Sequence, residues 1–254
     1  MKIALALIPA GLLVACNADI GITPTTSDGT EGLTLSVATP ERITGSYLAD
    51  SGSQIQFDVA RTGDALYMDV RTATHVLVHA ETTADTYVFH YMDNRLTLSV
   101  DKSWVAEVQA EGDDGPAMQS TDGMHFDGDR NVLDEMLTLP EVKDLPWLSR
   151  ALGVKGFTGK AYPASLPLHK IARQSADALA INVPPIQDSS AESFCTRPTA
   201  NECYGMCGPG CTCWSWVCGD CCYHSGCAKH DTWCRQGQWY YCYNITAVIA
   251  LFGC

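Results

Sequence analysis

The sequence predicts an α+β chain of two parts, an N-terminal antiparallel β meander with short helices and a C-terminal small disulfide-rich helical module. Between about Gly32 and Val108 apolar residues recur at every second position, in short runs separated by turns that carry Gly or Asp. Of the 13 cysteines, all but Cys16 fall between Cys195 and Cys254. A Pro- and Ser-rich stretch, Asn182 to Ser190 (NVPPIQDSS), separates the two patterns and marks the domain boundary.

In the first part Ile55, Phe57 and Val59 alternate with Gln54, Gln56 and Asp58, and Leu66, Met68 and Val70 alternate with Tyr67 and Asp69. Val76 and Val78, then Tyr87, Phe89 and Tyr91, then Leu96, Leu98 and Val100, and finally Val105, continue the period. Ser51-Gly52, Thr62-Gly63-Asp64 and Asp93-Asn94 supply the turns. Short strands of this kind in close succession form a meander with one buried face, here seven or so strands in a curved sheet or barrel. A side-chain-filled interior is expected over a lipid-holding cavity. His75, His79, His90 and His125 share no repeating spacing, which makes them sheet or loop residues and not metal ligands.

Glu111 to Asp129 is rich in Gly and Asp and reads as a solvated loop, since its acids lack the spacing of a calcium hand. From Asn131 to Arg173 the period becomes helical. Val132, Leu133, Met136 and Leu137, then Leu145, Trp147, Leu148 and Leu152, are interrupted by Pro140 and Pro146. Two or three short helices covering an open end of the sheet are expected.

Charge separates the parts as well. The net charge of −13 rests on the segment from Asn17 to Ser190, while the chain beyond Ser190 has three basic residues against four acids. An acidic body argues against a nucleic-acid backbone as partner. The nearly neutral, aromatic tail is the better membrane-facing surface. It holds Trp214, Trp216, Trp233, Trp239, Tyr240, Tyr241 and Tyr243, most of which are expected to form the core of a small module.

Met1-Lys2 followed by the apolar run Ile3 to Val14 has the form of a cleaved export signal, being shorter than the roughly 20 residues that span a bilayer. The ending Leu13-Val14-Ala15-Cys16 resembles the lipobox of bacterial lipoproteins, which implies lipidation of Cys16. Asn17, where the family's inner-membrane signal is often Asp, favours the outer membrane or cell surface. Four segments follow: a signal peptide over 1–16, a flexible tether over 17–31, a β-rich domain over 32–185 and the Cys-rich module over 186–254. Twelve cysteines in an exported module read as a disulfide framework of undetermined connectivity.

The chemistry is concentrated in Cys203 to Cys234, CYGMCGPGCTCWSWVCGDCCYHSGCAKHDTWC. Two glycines around Pro209, bracketed by Cys207 and Cys211, make a tight loop whose backbone carbonyls can turn inward. Calcium takes 6–8 oxygens, commonly including carbonyls and a carboxylate. From Gly219 onward a helix is compatible with the pattern, and it would place Cys227, His230 and Cys234 on one face with Asp231 beside His230. Cys218, Cys221, His224, Cys227 and His230 also recur at a period of three, so a Cys/His zinc site is a lesser alternative. A disulfide-stapled surface module with no chemistry is the third reading.

Tyr204-Gly205…Cys207-Gly208-x-Gly210 resembles the calcium loop of secreted phospholipases A2, and Cys227-x-x-His230-Asp231 resembles their catalytic helix. The resemblance covers about thirty of the 254 residues. It implies Ca²⁺ held by the carbonyls of Met206, Gly208 and Gly210 and the carboxylate of Asp231. It also implies His230 as general base and the Gly208 N–H at the oxyanion, with a phospholipid membrane as partner. The loop is one residue shorter than the family's, Cys211 stands where a second Gly is usual, and Gly226 precedes Cys227 where the family has paired cysteines. The cysteine after His-Asp comes one residue late, and no acid follows Asp231 to orient His230. Asp220, Asn244 or the β domain would supply that group, or it is absent, in which case catalysis is crippled and metal binding survives.

Overall fold

The protein is described here by a computed structural model covering residues 30–111, 121–159, 161–184 and 186. Eight strands form a single antiparallel sheet in sequence order, each pairing with the next. They are β1 (Leu33–Ala38), β2 (Arg42–Leu48), β3 (Gln54–Thr62), β4 (Ala65–Arg71), β5 (Val76–Thr82), β6 (Thr86–Tyr91), β7 (Leu96–Asp101) and β8 (Met124–Gly128). The helices are α1 (Lys102–Glu111), α2 (Val132–Thr138), α3 (Pro140–Val154) and α4 (Leu166–Ala178), with a 3-10 turn at Pro163–Ser165. The strand order runs from β1 at one edge to β8 at the other.

The alternation decides which face is buried. Ile43, Ile55, Phe57, Val59, Met68, Val70, Phe89, Tyr91, Leu96, Leu98 and Val100 are almost wholly inaccessible, and their strand neighbours Gln54, Gln56, Tyr67 and Thr97 are not. Val132, Leu133 and Met136 of α2, Val142, Leu145, Leu148 and Leu152 of α3, and Leu168, Ile171 and Ala172 of α4 join the same apolar cluster. The helices therefore cover the apolar face of the sheet, as a half-buried antiparallel sheet requires. Gln54, Gln56 and Asp58 and their counterparts on the other strands remain as a polar outer face.

The turns follow their residues. Gly52 and Gly63 adopt positive φ in the β2–β3 and β3–β4 hairpins. Between β6 and β7 three successive residues, Met92, Asp93 and Asn94, lie at φ of 44°, 57° and 66°. Asp and Asn tolerate that region better than other side chains, while Met92 is held there by burial.

Four expectations need correction. The segment expected as a loop up to Asp129 contains β8, where Met124 to Gly128 pair with β7, so its polar sequence still completes the sheet. Val105 is not a strand residue. It sits with Trp104 in α1, and adjacent buried residues suit a helix flank, not a period of two. Gly123 lies so close to Trp104 that a Cβ there would approach its ring to 2.3 Å, so the loop before β8 needs a residue without a side chain. In β5 the alternation skips a beat: Val70 pairs Val78 and Arg71 pairs Val76, so Leu77 is the extra residue of a bulge and is buried together with Val78. Pro140 does interrupt the helical region, since α2 ends at Thr138 and Leu139 is extended, but Pro146 does not. Pro140 is the first residue of α3, where its missing N–H is harmless, and Pro146 lies inside that uninterrupted helix. An interior proline costs about 3 kcal/mol, and burial of Leu145, Pro146 and Leu148 against the core offsets it.

Candidate functional site

The residues that carry the sequence motif, Met206, Gly208, Gly210, His230 and Asp231, lie outside the described residues, as does Cys16. Three polar arrangements within the described body need weighing beside them.

The first is a row across the outer face of the sheet. The strand register aligns Thr44, Asp58, Asp69, His79, His90, Thr97 and Asp127 on successive strands. The His79 and His90 rings stack with centroids 6.0 Å apart at 19°, and Tyr67 meets His79 edge-on at 5.6 Å. Asp69 accepts two hydrogen bonds of 2.6 Å from the Arg71 guanidinium and lies 3.6 Å from His79 Nδ1. His90 Nδ1 is 3.0 Å from Thr97 Oγ1. On the next strands Arg42 forks onto Asp58 at 3.0 and 2.7 Å. Beside this row runs an open groove of about 390 Å³, lined by side chains such as Thr44, Gln56, Asp58, Tyr67 and Arg71. Both carboxylates in it are already occupied by guanidinium groups, so it offers hydrogen bonds and the aromatic surface of Tyr67 and Phe57, not an activated nucleophile. Among the described residues no group of three or more His, Cys, Asp or Glu converges to hold a metal.

The second arrangement comprises the remaining surface histidines. His125 Nε2 lies 3.2 Å from Asp101 Oδ2, and His75 Nδ1 lies 2.8 Å from Asp93 Oδ2. Asp93 also accepts the Val76 N–H, so its carboxyl is held below the usual carboxylate range, first by the His75 hydrogen bond and then by this backbone donor. A carboxyl with a lowered folded pKa contributes stability above its unfolded value of about 3.9 and loses it as pH falls through the folded value. Asp93→Asn keeps a residue that tolerates positive φ, and it should flatten the fall in the denaturation midpoint measured below pH 4 relative to the parent. An identical acid limb in both proteins would show that the pair contributes nothing.

The third arrangement was not visible in the sequence. Ser149 of α3 donates to His169 Nδ1 of α4 at 2.7 Å, and His169 Nε2 lies 2.8 Å from the Phe157 carbonyl oxygen. A serine on a histidine suggests a nucleophile, but both side chains are buried and the second ring nitrogen serves a backbone carbonyl. With Nε2 carrying the proton, Nδ1 can only accept, which fits the Ser149 hydroxyl as donor. The pair is therefore a sealed polar pin between two helices. Ser149→Ala should lower unfolding free energy by about 1–3 kcal/mol through loss of the hydroxyl that donates to a buried ring nitrogen, and should leave any ester hydrolysis per folded molecule unchanged. His169 sits three residues after Leu166 in an apolar stretch, and no spacing in the sequence linked it to Ser149.

Elsewhere, burial and the nearby Asp144 push the Tyr47 phenol up to about 12. Ser51 Oγ donates to Asp144 Oδ2 at 2.6 Å, and Ser53 donates to the same oxygen, tying the β2–β3 turn to α3. Arg95 reaches both Asp129 and Glu135 at 3.1 and 2.7 Å, which ties the β7 end to α2. These are structural contacts. No helix among the described residues is long and apolar enough to cross a membrane. Comparison with family models, with curated proteins and with solved structures finds no match to this chain.

Proposed function

We propose that the chain is an exported bacterial lipoprotein, anchored through Cys16 at the outer membrane or cell surface, whose C-terminal module hydrolyses phospholipid acyl esters with Ca²⁺. The observation that supports this reading is the glycine loop Gly205-Met206-Cys207-Gly208-Pro209-Gly210 followed by Cys227-x-x-His230-Asp231. Three backbone carbonyls and a carboxylate form an all-oxygen donor set, which suits a hard cation. Bound there, Ca²⁺ would supply positive charge to the developing oxyanion.

The protein groups do the rest. His230 takes a proton from water as the water oxygen bonds to the ester carbonyl carbon. The Gly208 N–H donates to the oxyanion. As the carbonyl re-forms, the ester C–O bond breaks and the proton passes from His230 to the departing lysophospholipid oxygen, leaving a free fatty acid. Fatty-acid release from phospholipid mixed micelles should require Ca²⁺, disappear with chelator and return on adding the ion. Release indifferent to chelator would overturn the mechanism.

A second reading is a non-catalytic disulfide-rich lipoprotein that binds or supports. It is favoured by one observation, that no Asp or Glu follows Asp231. In that case calcium binding persists without turnover.

A further inference from the structure

The open groove on the outer face of the sheet crosses β1 to β4 and takes no part in the lipid chemistry proposed above. Its volume of about 390 Å³ falls within the range of small-molecule sites, about 300–1,000 Å³. Such sites are mostly apolar, whereas this one is lined mainly by polar side chains.

The backbone shapes it. The two register shifts between paired strands fall on its outermost strands. Ser36 is the unpaired residue between Leu35 and Val37 in β1, and Arg71 of β4 flanks the bulge at Leu77. A bulge bends its strand and re-aims a side chain, and both Ser36 and Arg71 line the groove. Gly45, in the middle of β2, lets β1 close in, since a Cβ there would stand 2.2 Å from the Thr34 carbonyl oxygen.

Two kinds of group face a ligand in this space. Asp58 and Asp69 each hold a guanidinium in a two-point fork, which fixes four charges that cancel. A guanidinium has five N–H donors, so each keeps donors beyond those spent on its carboxylate. The side chains of Ser36, Thr44, Ser46, Gln54 and Gln56 make no hydrogen bond to another described residue. Tyr67, 39% exposed, adds an aromatic ring set edge-on to His79, which in turn stacks on His90.

These features select the ligand class. An apolar ligand would strand the polar lining. An anion meets a groove of no net charge on a chain of −13, and no group of three or more His, Cys, Asp or Glu among the described residues converges on a metal. A peptide strand would seek a free sheet edge, but β2 to β4 are interior strands. An uncharged ligand with many hydroxyls and one apolar face remains. A pyranose has both, since its neighbouring hydroxyls suit paired amide and guanidinium contacts and its C–H face packs on an aromatic ring. We propose that the groove binds a neutral saccharide, with Tyr67 as the stacking platform and Gln54, Gln56 and Arg71 as its hydrogen-bonding groups.

The inference does not rest on the enzymatic reading, and its test reads no lipid hydrolysis. The full-length protein is run in native gels cast with amylopectin, galactomannan or xyloglucan, all neutral, or with the anionic polysaccharide alginate. At least one neutral gel should retard it relative to a gel without polysaccharide. Tyr67→Ala and Gln56→Ala should each weaken the apparent affinity by roughly tenfold. Both side chains are exposed, so the variants keep the fold. Tyr67→Phe, which keeps the ring, and Val88→Ala, two strands away on the same face, should bind as the parent does. No retardation in any neutral gel would overturn the proposal. So would retardation by alginate alone, which makes the ligand an anion, or retardation that survives Tyr67→Ala, which puts binding elsewhere on the chain.

Discussion

His230→Asn should reduce calcium-dependent fatty-acid release by about 10²–10⁴-fold, the usual worth of a positioned general base. Asparagine is similar in size and can hold a water molecule by hydrogen bonding, but it cannot accept the proton when the water attacks. Asp231 is untouched by this change, so calcium binding, followed by calorimetry, should be retained. That pairing of lost turnover with kept binding separates a base from a structural histidine. Release unchanged by the substitution would remove His230 from the reaction. Calcium binding without release in the parent protein would leave the binding-only reading in possession.

Phe89→Ala should destabilise the β-rich body by about 3–5 kcal/mol, a large part of the 5–15 kcal/mol that holds a typical domain together. Phe89 is fully buried on β6 and stands in register with Ala80 on β5 and Leu98 on β7. Its neighbour Ala80 is too small to swing into the space, so the cavity stays open. No cysteine lies between Cys16 and Cys195, so no disulfide within the sheet limits the loss. Urea unfolding followed by far-ultraviolet circular dichroism measures it. Val88→Ala, on the outer face of the same strand, should cost much less. Equal costs would contradict the assignment of the two faces.

Much of the fold was legible because a period of two is imposed by geometry. Ile55, Phe57 and Val59 on β3 had to share a face, and they do. The places where the sequence misled were those where the backbone or the packing departs from its own pattern. Leu77 enters as a bulge, so an apolar triplet replaced alternation. Met124 to Gly128 reads as acidic loop, because a short edge strand needs only backbone hydrogen bonds and one or two inward side chains. Pro146 reads as a helix end, because its local cost is visible in sequence and the burial that outweighs it is not. The Ser149–His169 pin joins side chains from two helices, and contacts of that kind leave no spacing to detect. The motif around His230 and Asp231 is the reverse case. Its residue types and order speak strongly, and its geometry lies outside the described residues.

The sequential order of the strands also bears on how the chain folds. Every pairing in the sheet joins strands that are neighbours in sequence, so the entropy lost in closing each loop is small and pairing is fast. Hairpins form in microseconds, whereas disulfides form and reshuffle over seconds to hours. The β-rich body holds no cysteine, so its folding waits on no such step.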